Sequence, residues 1–115
     1  MTPNPQAEIE SYYTTVVVSI GRNRGDQPMH DTEWAIFRSL VSDDVVHHAG
    51  QVFFAGEGRG YGEWGTEDAF TLVGGATDRG ARANLEHDLG LLAKSFGQEA
   101  IAVTYGNAQF VGPAT

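Results

Sequence analysis

Residues 12–37 read Tyr12-Tyr13-Thr14-Thr15-Val16-Val17-Val18-Ser19-Ile20, then Gly21-Arg22-Asn23-Arg24-Gly25-Asp26-Gln27-Pro28, then Met29-His30-Asp31-Thr32-Glu33-Trp34-Ala35-Ile36-Phe37. A β-branched run, a Gly/Asn/Pro stretch and acidic residues ahead of an apolar stripe mark, in that order, a buried strand, a tight loop and a helix start. Side chains alternate along extended backbone, so Val16, Val18 and Ile20 share one face while Tyr13, Thr15, Val17 and Ser19 share the other. The first set makes a core face. The second is mixed, and suits solvent, a second subunit or a ligand.

The helix is signposted at its start. With His30 or Asp31 as N-cap, Glu33 sits near N3, Met29 can pack on Trp34 as a hydrophobic staple, and Asp31 and Glu33 lie at the positive end of the helix dipole. Trp34, Phe37, Leu40 and Val41 follow helical spacing and form the expected buried stripe, and Ser42-Asp43-Asp44 ends the pattern. Gln51–Ala55 and Ala69–Val73 read as a second and a third strand bounded by glycines. Residues 56–65 between them, Gly-Glu-Gly-Arg-Gly-Tyr-Gly-Glu-Trp-Gly, are too many for a two-residue turn and read as an extended hairpin tip. Residues 79–96 form a second helix capped by Asp78, with Leu85, Leu89, Leu92 and Phe96 on one stripe and Gly97 as a left-handed C′ residue. Residues 100–105 re-enter the sheet, and 108–111 add a short edge.

The order strand, helix, strand, strand, helix, strand is that of an α+β, ferredoxin-like βαββαβ fold, an antiparallel sheet with two helices on one face. The domain spans residues 12–111, with an N-terminal tail at 1–11 and a C-terminal tail at 112–115. The opposite sheet face then carries Thr15, Val17, Phe53 or Phe54, Thr71, Val73, Ala102 and Thr104, too apolar for water, and predicts a homo-oligomer through that face or an edge strand, or a protein partner.

Composition bounds the function. The chain has 115 residues, a formal net charge of −8, no cysteine and a single lysine, Lys94. One domain of this size buries a sufficient core. Disulfide and thiolate chemistry are excluded, and so large a negative charge disfavours general binding to nucleic acid. No apolar run is long enough for a membrane helix and no secretory leader is seen, so the expected location is the cytoplasm. Glycine, at 15 residues, is about twice its usual frequency, so close backbone approach is part of the design.

The ordered set Gly21-Arg22-Asn23, Pro28-Met29, Glu33-Trp34 with Phe37, Gly60-Tyr61-Gly62-Glu63-Trp64 and Phe96-Gly97-Gln98-Glu99-Ala100-Ile101 resembles a family of small, functionally uncharacterised ferredoxin-like domains of bacteria and actinobacterial phages. The similarity covers residues 14–111. It implies the fold, and for a phage-encoded member the host cytoplasm, and it brings no catalytic residues. The bacterial members often look secreted, and His30 stands where serine is expected.

The candidate ligand site is the Arg22–Asp26 loop, where Arg22, Asn23 and Arg24, joined by Arg59, could face a nucleotide-like or other anion at the helix start. The simpler reading is that these arginines pair with Asp26, Asp31 and Glu33. Tyr61 and Trp64 on the glycine-rich tip suit recognition, and Trp64 equally suits capping the core. His47 and His48 are adjacent, and no His-x-x-x-His or Glu-x-x-His spacing appears, so neither metal nor cofactor is expected. Glu67 and Asp68 form a conceivable acid and base pair. Arg24-Gly25-Asp26 matches an adhesion tripeptide at chance level, and no nucleophile elbow exists. A non-enzymatic, oligomeric binding protein is the leading expectation. A small-ligand protein using the arginine loop and a small cofactor-independent enzyme with a pocket against the sheet are the alternatives.

Overall fold

The structure, a computed structural model, describes residues 14–63, 65–75, 78–107 and 111–114. Readings that fall on the N-terminal tail, Trp64 and residues 108–110 lie outside the described residues. The elements are β1 (Thr14–Gly21), β2 (Asn23–Arg24), β3 (Gln27–Pro28), α1 (Asp31–Ala49), β4 (Gln51–Gly62), β5 (Gly65–Gly75), α2 (Arg79–Ser95) and β6 (Ala102–Asn107). The main sheet has the order β4-β5-β1-β6, and every neighbouring pair is antiparallel. This is an α+β protein with a four-stranded antiparallel sheet and two helices, compatible with the ferredoxin-like arrangement expected from the sequence.

The alternation in β1 is as its residues dictate. Val16, Val18 and Ile20 are buried with Leu72, with Trp34, Phe37, Val41, Val45 and Ala49 of α1, and with Leu85 and Leu89 of α2. Both helices thus close on the same side of the sheet. Met29 joins Trp34 in that core, and Glu33 occupies N3, although the N-cap His30 makes no side-chain cap bond. In α2 the Asp78 carboxylate does cap, accepting from the Ala81 N–H at 2.7 Å. Gly97 takes a φ of 67° just past the helix, as its position requires.

Three expectations change. First, α1 does not stop at Ser42–Asp44 but runs to Ala49, because Val45 and Ala49 extend its buried stripe and Gly50 caps it in the left-handed region at φ 75°. Asp43 and Asp44 break the apolar run without breaking the helix. Second, Leu40 is not part of the stripe: it is one position off the 34, 37, 41, 45, 49 line and is 37% exposed. Third, the extended tip is paired strand. β4 and β5 form one long ribbon that pairs as far as Gly62 opposite Gly65. Its glycines alternate with larger residues, which hid the strand by removing every apolar side chain from one face.

Gly74 sets how closely α1 can approach. A Cβ there would stand 2.9 Å from the Val45 Cγ1 and 3.1 Å from the Ala49 Cβ, so only glycine lets the second half of the helix lie on the sheet.

Leu89, 2% exposed in the middle of the α2 stripe, tests this packing. Leu89→Ala is expected to cost about 2–5 kcal/mol in urea unfolding. A loss below about 1 kcal/mol would contradict the helix placement.

Candidate functional site

Two surfaces carry chemistry, one on each side of the sheet. On the helix side, Arg22 follows Ile20 by two and turns toward α1. Its Nε donates to the Met29 carbonyl at 2.8 Å, its Nη2 to Asp31 at 2.6 Å, and its Nη1 to Asp68 at 3.4 Å. Arg24 donates from Nε to the Phe96 carbonyl at 3.0 Å and also pairs with Glu33. Arg59 lies 3.8 Å from Asp68. Arg22 and Arg59 therefore share one carboxylate, whereas Arg24 is turned toward the end of α2. The ion pairs tie the loop to α1 and β5, and the hydrogen bond to Phe96 ties it to the end of α2. The pairing of Arg22 with Asp31 and of Arg24 with Glu33 is the simpler arrangement anticipated from sequence, and an anion at this loop would have to displace carboxylates already seated.

Asn23 uses its backbone. Its N–H donates to Glu67 at 2.9 Å, and its carbonyl accepts from the Gln98 side chain at 2.9 Å. Tyr61 is 72% exposed on the ribbon. Trp64 lies outside the described residues. Glu67 and Asp68 are neighbours on β5, so they point to opposite faces and cannot act as one acid and base pair.

The second surface is the sheet face away from the helices. Register places Thr104, Val17, Val73 and Phe54 in one row, and Ala102, Ser19, Thr71 and Gly56 in the next. Ser19 and Thr71 hydroxyls share a hydrogen bond of 2.8 Å. A bulge between Val52 and Phe54 sends two consecutive phenylalanines to this face: the Phe53 ring lies over Gly75 and the Phe54 ring over Gly56. They are 43% and 58% exposed. Among the described residues, no helix covers this face.

Beyond Phe54 the face loses its side chains. Gly56, Gly58 and Gly60 follow one another on it, opposite Thr71, Ala69 and Glu67. Beside the last of these glycines stands Glu67, its Cγ 4.0 Å from a Cβ position on Gly60, and its carboxylate reaches across β5 into the space that a Cβ on Gly21 would fill, 2.5 Å from that position. The result is a shallow strip of bared backbone along the edge strand, a glycine trough open on its outer side, with Phe54 at one end and Glu67 beside the other. The sequence signal for it was the period-two glycine run, legible only once the run is known to be strand.

At the seam of the helices, His48 Nε2 and Asp88 are 2.7 Å apart, and the His47 and His48 rings meet edge to face at 4.7 Å. Both histidines are in the last turn of α1. Among the described residues no three histidine or carboxylate side chains gather as a metal would require, and no helix is long and apolar enough to cross a membrane. Tyr105 donates to Glu86 at 2.8 Å, and burial together with that carboxylate pushes its phenol up to about 12.

No family model matches the chain, and no curated protein matches it either. Solved structures do. A phage SAM lyase in complex with S-methyl-5′-thioadenosine superposes with a TM-score of 0.54 at 18% sequence identity, covering 84% of this chain and 81% of that one. A phage SAM lyase in the apo state gives 0.54 at 19%, covering 82% and 79%. The shared property is the fold.

The helix seam yields a pH prediction. The Asp44 carboxyl is pushed above its usual value by burial first, then by Asp88 and Asp43, with His48 and His47 opposing. A raised folded pKa penalises the ionised form in the native state, so the penalty is full above the folded value and absent below the unfolded one. Asp44→Asn is expected to raise the melting temperature at neutral pH, with the gain fading as the pH falls toward 3.8. A gain that grew on acidification would contradict this account.

Proposed function

We propose that this protein binds a small sulfonium or thioether nucleoside of the SAM type in the trough on the open sheet face, and that a second copy of the chain closes the site. The observation that carries the reading is the glycine floor. A Cβ on Gly58 would meet nothing within 4 Å, and one on Gly60 would meet only the Glu67 Cγ at 4.0 Å. Neither glycine has a positive φ. Within one chain, then, neither conformation nor crowding calls for glycine at these positions. Glycine there admits something that approaches the backbone closely.

The rest of the trough fits such a ligand. A flat ring can lie on backbone bared of side chains, with Phe54 beside it to stack. Glu67, steadied by the Asn23 N–H, accepts hydrogen bonds from sugar hydroxyls and attracts a permanent cation such as a sulfonium. A neutral thioether gains less from that carboxylate, so cleavage of a sulfonium would weaken retention of the product. The fold likeness to a phage SAM lyase agrees with this reading. The apolar row of Val17, Val73 and Phe54 supplies the contact between copies.

We propose further that the bound sulfonium is cleaved, the ligand's own carboxylate displacing the thioether from its γ-carbon to leave homoserine lactone, so that incubation with SAM followed by chromatography should show S-methyl-5′-thioadenosine accumulating. Glu67→Gln should lower the rate by about a hundredfold or more. Gly58→Val should abolish ligand binding while preserving the melting temperature, because valine suits a strand and its Cβ meets nothing in the single chain. Full activity in Gly58→Val, or no binding of SAM and S-methyl-5′-thioadenosine by the unaltered protein, would overturn the reading.

A second reading rests on Phe54: an oligomeric, non-catalytic interaction protein using the same face. Binding without consumption of SAM would favour it. Both readings expect native mass spectrometry to show an oligomer that Phe54→Asp converts to a folded monomer. A monomeric unaltered protein would remove the contact between copies from both.

A further inference from the structure

Arg38 is placed at a cost that folding alone does not explain. It projects from α1 on the helix side of the sheet, with its guanidinium carbon 5.5 Å from the centre of the Trp34 ring and 5.9 Å from that of Phe70. It pairs with Glu57 of β4. Its Nε–H is buried with no acceptor, the single buried side-chain polar atom without a partner among the described residues. A buried unsatisfied donor destabilises, and a methionine of similar length would fill the same space between the rings without that penalty.

Beside Arg38 opens a cleft of about 330 Å³ lined by Arg22, Asp31, Trp34, Arg38, Glu57 and Asp68. Three of the five Arg22 N–H groups are taken by Met29, Asp31 and Asp68, whereas the buried Arg38 Nε–H has no acceptor at all. Two arginines and three carboxylates line the cleft, and Arg59, 3.8 Å from Asp68, brings the charges into balance. The Asp31 side chain is 97% exposed and that of Asp68 48%, so both keep oxygens open to a ligand. A plain anion would meet three carboxylates. A plain cation would leave the Arg38 Nε–H without an acceptor.

We infer that this cleft binds a small zwitterion, a molecule with a carboxylate and an ammonium group a few bonds apart, as in a free α-amino acid. The ligand carboxylate takes the free edge of the Arg38 guanidinium as a forked hydrogen-bond pair, with the side chain turning enough to present its Nε–H. The ligand ammonium sits between Asp31 and Asp68. The surface of Trp34 and Phe70 beneath Arg38 holds the guanidinium in line through its ring faces. The charged groups of this site are on the opposite side of the sheet from the glycine trough; Gly58 and Ala69 border both, and the inference does not depend on the reading given to that trough.

The test is thermal unfolding and calorimetry of the full chain with the free L-amino acids at millimolar concentration, alongside acetate and methylammonium. At least one amino acid should raise the melting temperature, and the two half-ligands should not. Arg38→Met should remove the response while leaving the unliganded melting temperature unchanged or higher. Arg38→Lys, which keeps the charge and loses the fork, should weaken binding about tenfold or more. The inference is overturned if no amino acid shifts the unaltered protein, if acetate alone reproduces the shift, or if the response survives in Arg38→Met or is undiminished in Arg38→Lys.

Discussion

The structure depends on a single constraint, the two-residue alternation of β1 at the centre of the sheet. Val16, Val18 and Ile20 are committed to the core, and with them both helices are committed to one side. A one-residue slip would exchange that face for Val17, Ser19 and Gly21, so register is strongly specified. The same constraint leaves Val17, Val73 and Phe54 on a face that no described helix covers. A strand apolar on both faces is ordinary in a sheet with two covered sides and uncommon where one side is open. The self-association proposed above would resolve that conflict.

Beyond the end of β1 the alternation acts differently. β5 continues past it, and each residue of β5 still chooses a side. Asp68 goes to the arginines and the helix start, while Glu67 goes to the open face, where its carboxylate lies over Gly21 and accepts from the Asn23 N–H. Adjacent carboxylates thus serve separate surfaces. Arg22 is the joint between them: its backbone N–H donates to the Asp68 carbonyl at 2.9 Å, its carbonyl accepts from the Met29 N–H at 3.0 Å, and its side chain secures the first turn of α1. The negative net charge fits this arrangement, since most of the described arginines are consumed in fixing local geometry and little positive surface remains for nucleic acid.

The sequence made the secondary elements legible wherever side chains carry the pattern. β1, the start of α1 with Glu33 at N3, Asp78 as a cap and the Leu85–Leu89 stripe all follow from local rules. The end of α1 did not, because Asp43 and Asp44 are compatible with a helix whose stripe resumes at Val45. The ribbon did not, because glycine carries no hydropathy and its alternation appears only in register with β5. The arginine loop was legible as a cluster of residues, but which donors are already satisfied is a property of three-dimensional pairing. Arg38 gave no signal at all: one arginine on a helix looks like a solvated face until its neighbours Trp34 and Phe70 are in place.

The central claim is that the face bearing Val17, Val73 and Phe54 meets a second copy of the chain. An isotope-filtered nuclear Overhauser experiment on a mixture of labelled and unlabelled protein tests it most directly, since only contacts between copies give signal. The account predicts cross-peaks from the Phe54 ring and the Val17 and Val73 methyls to protons of the other copy. Intermolecular cross-peaks confined to the helix side, with none from those three residues, would contradict it.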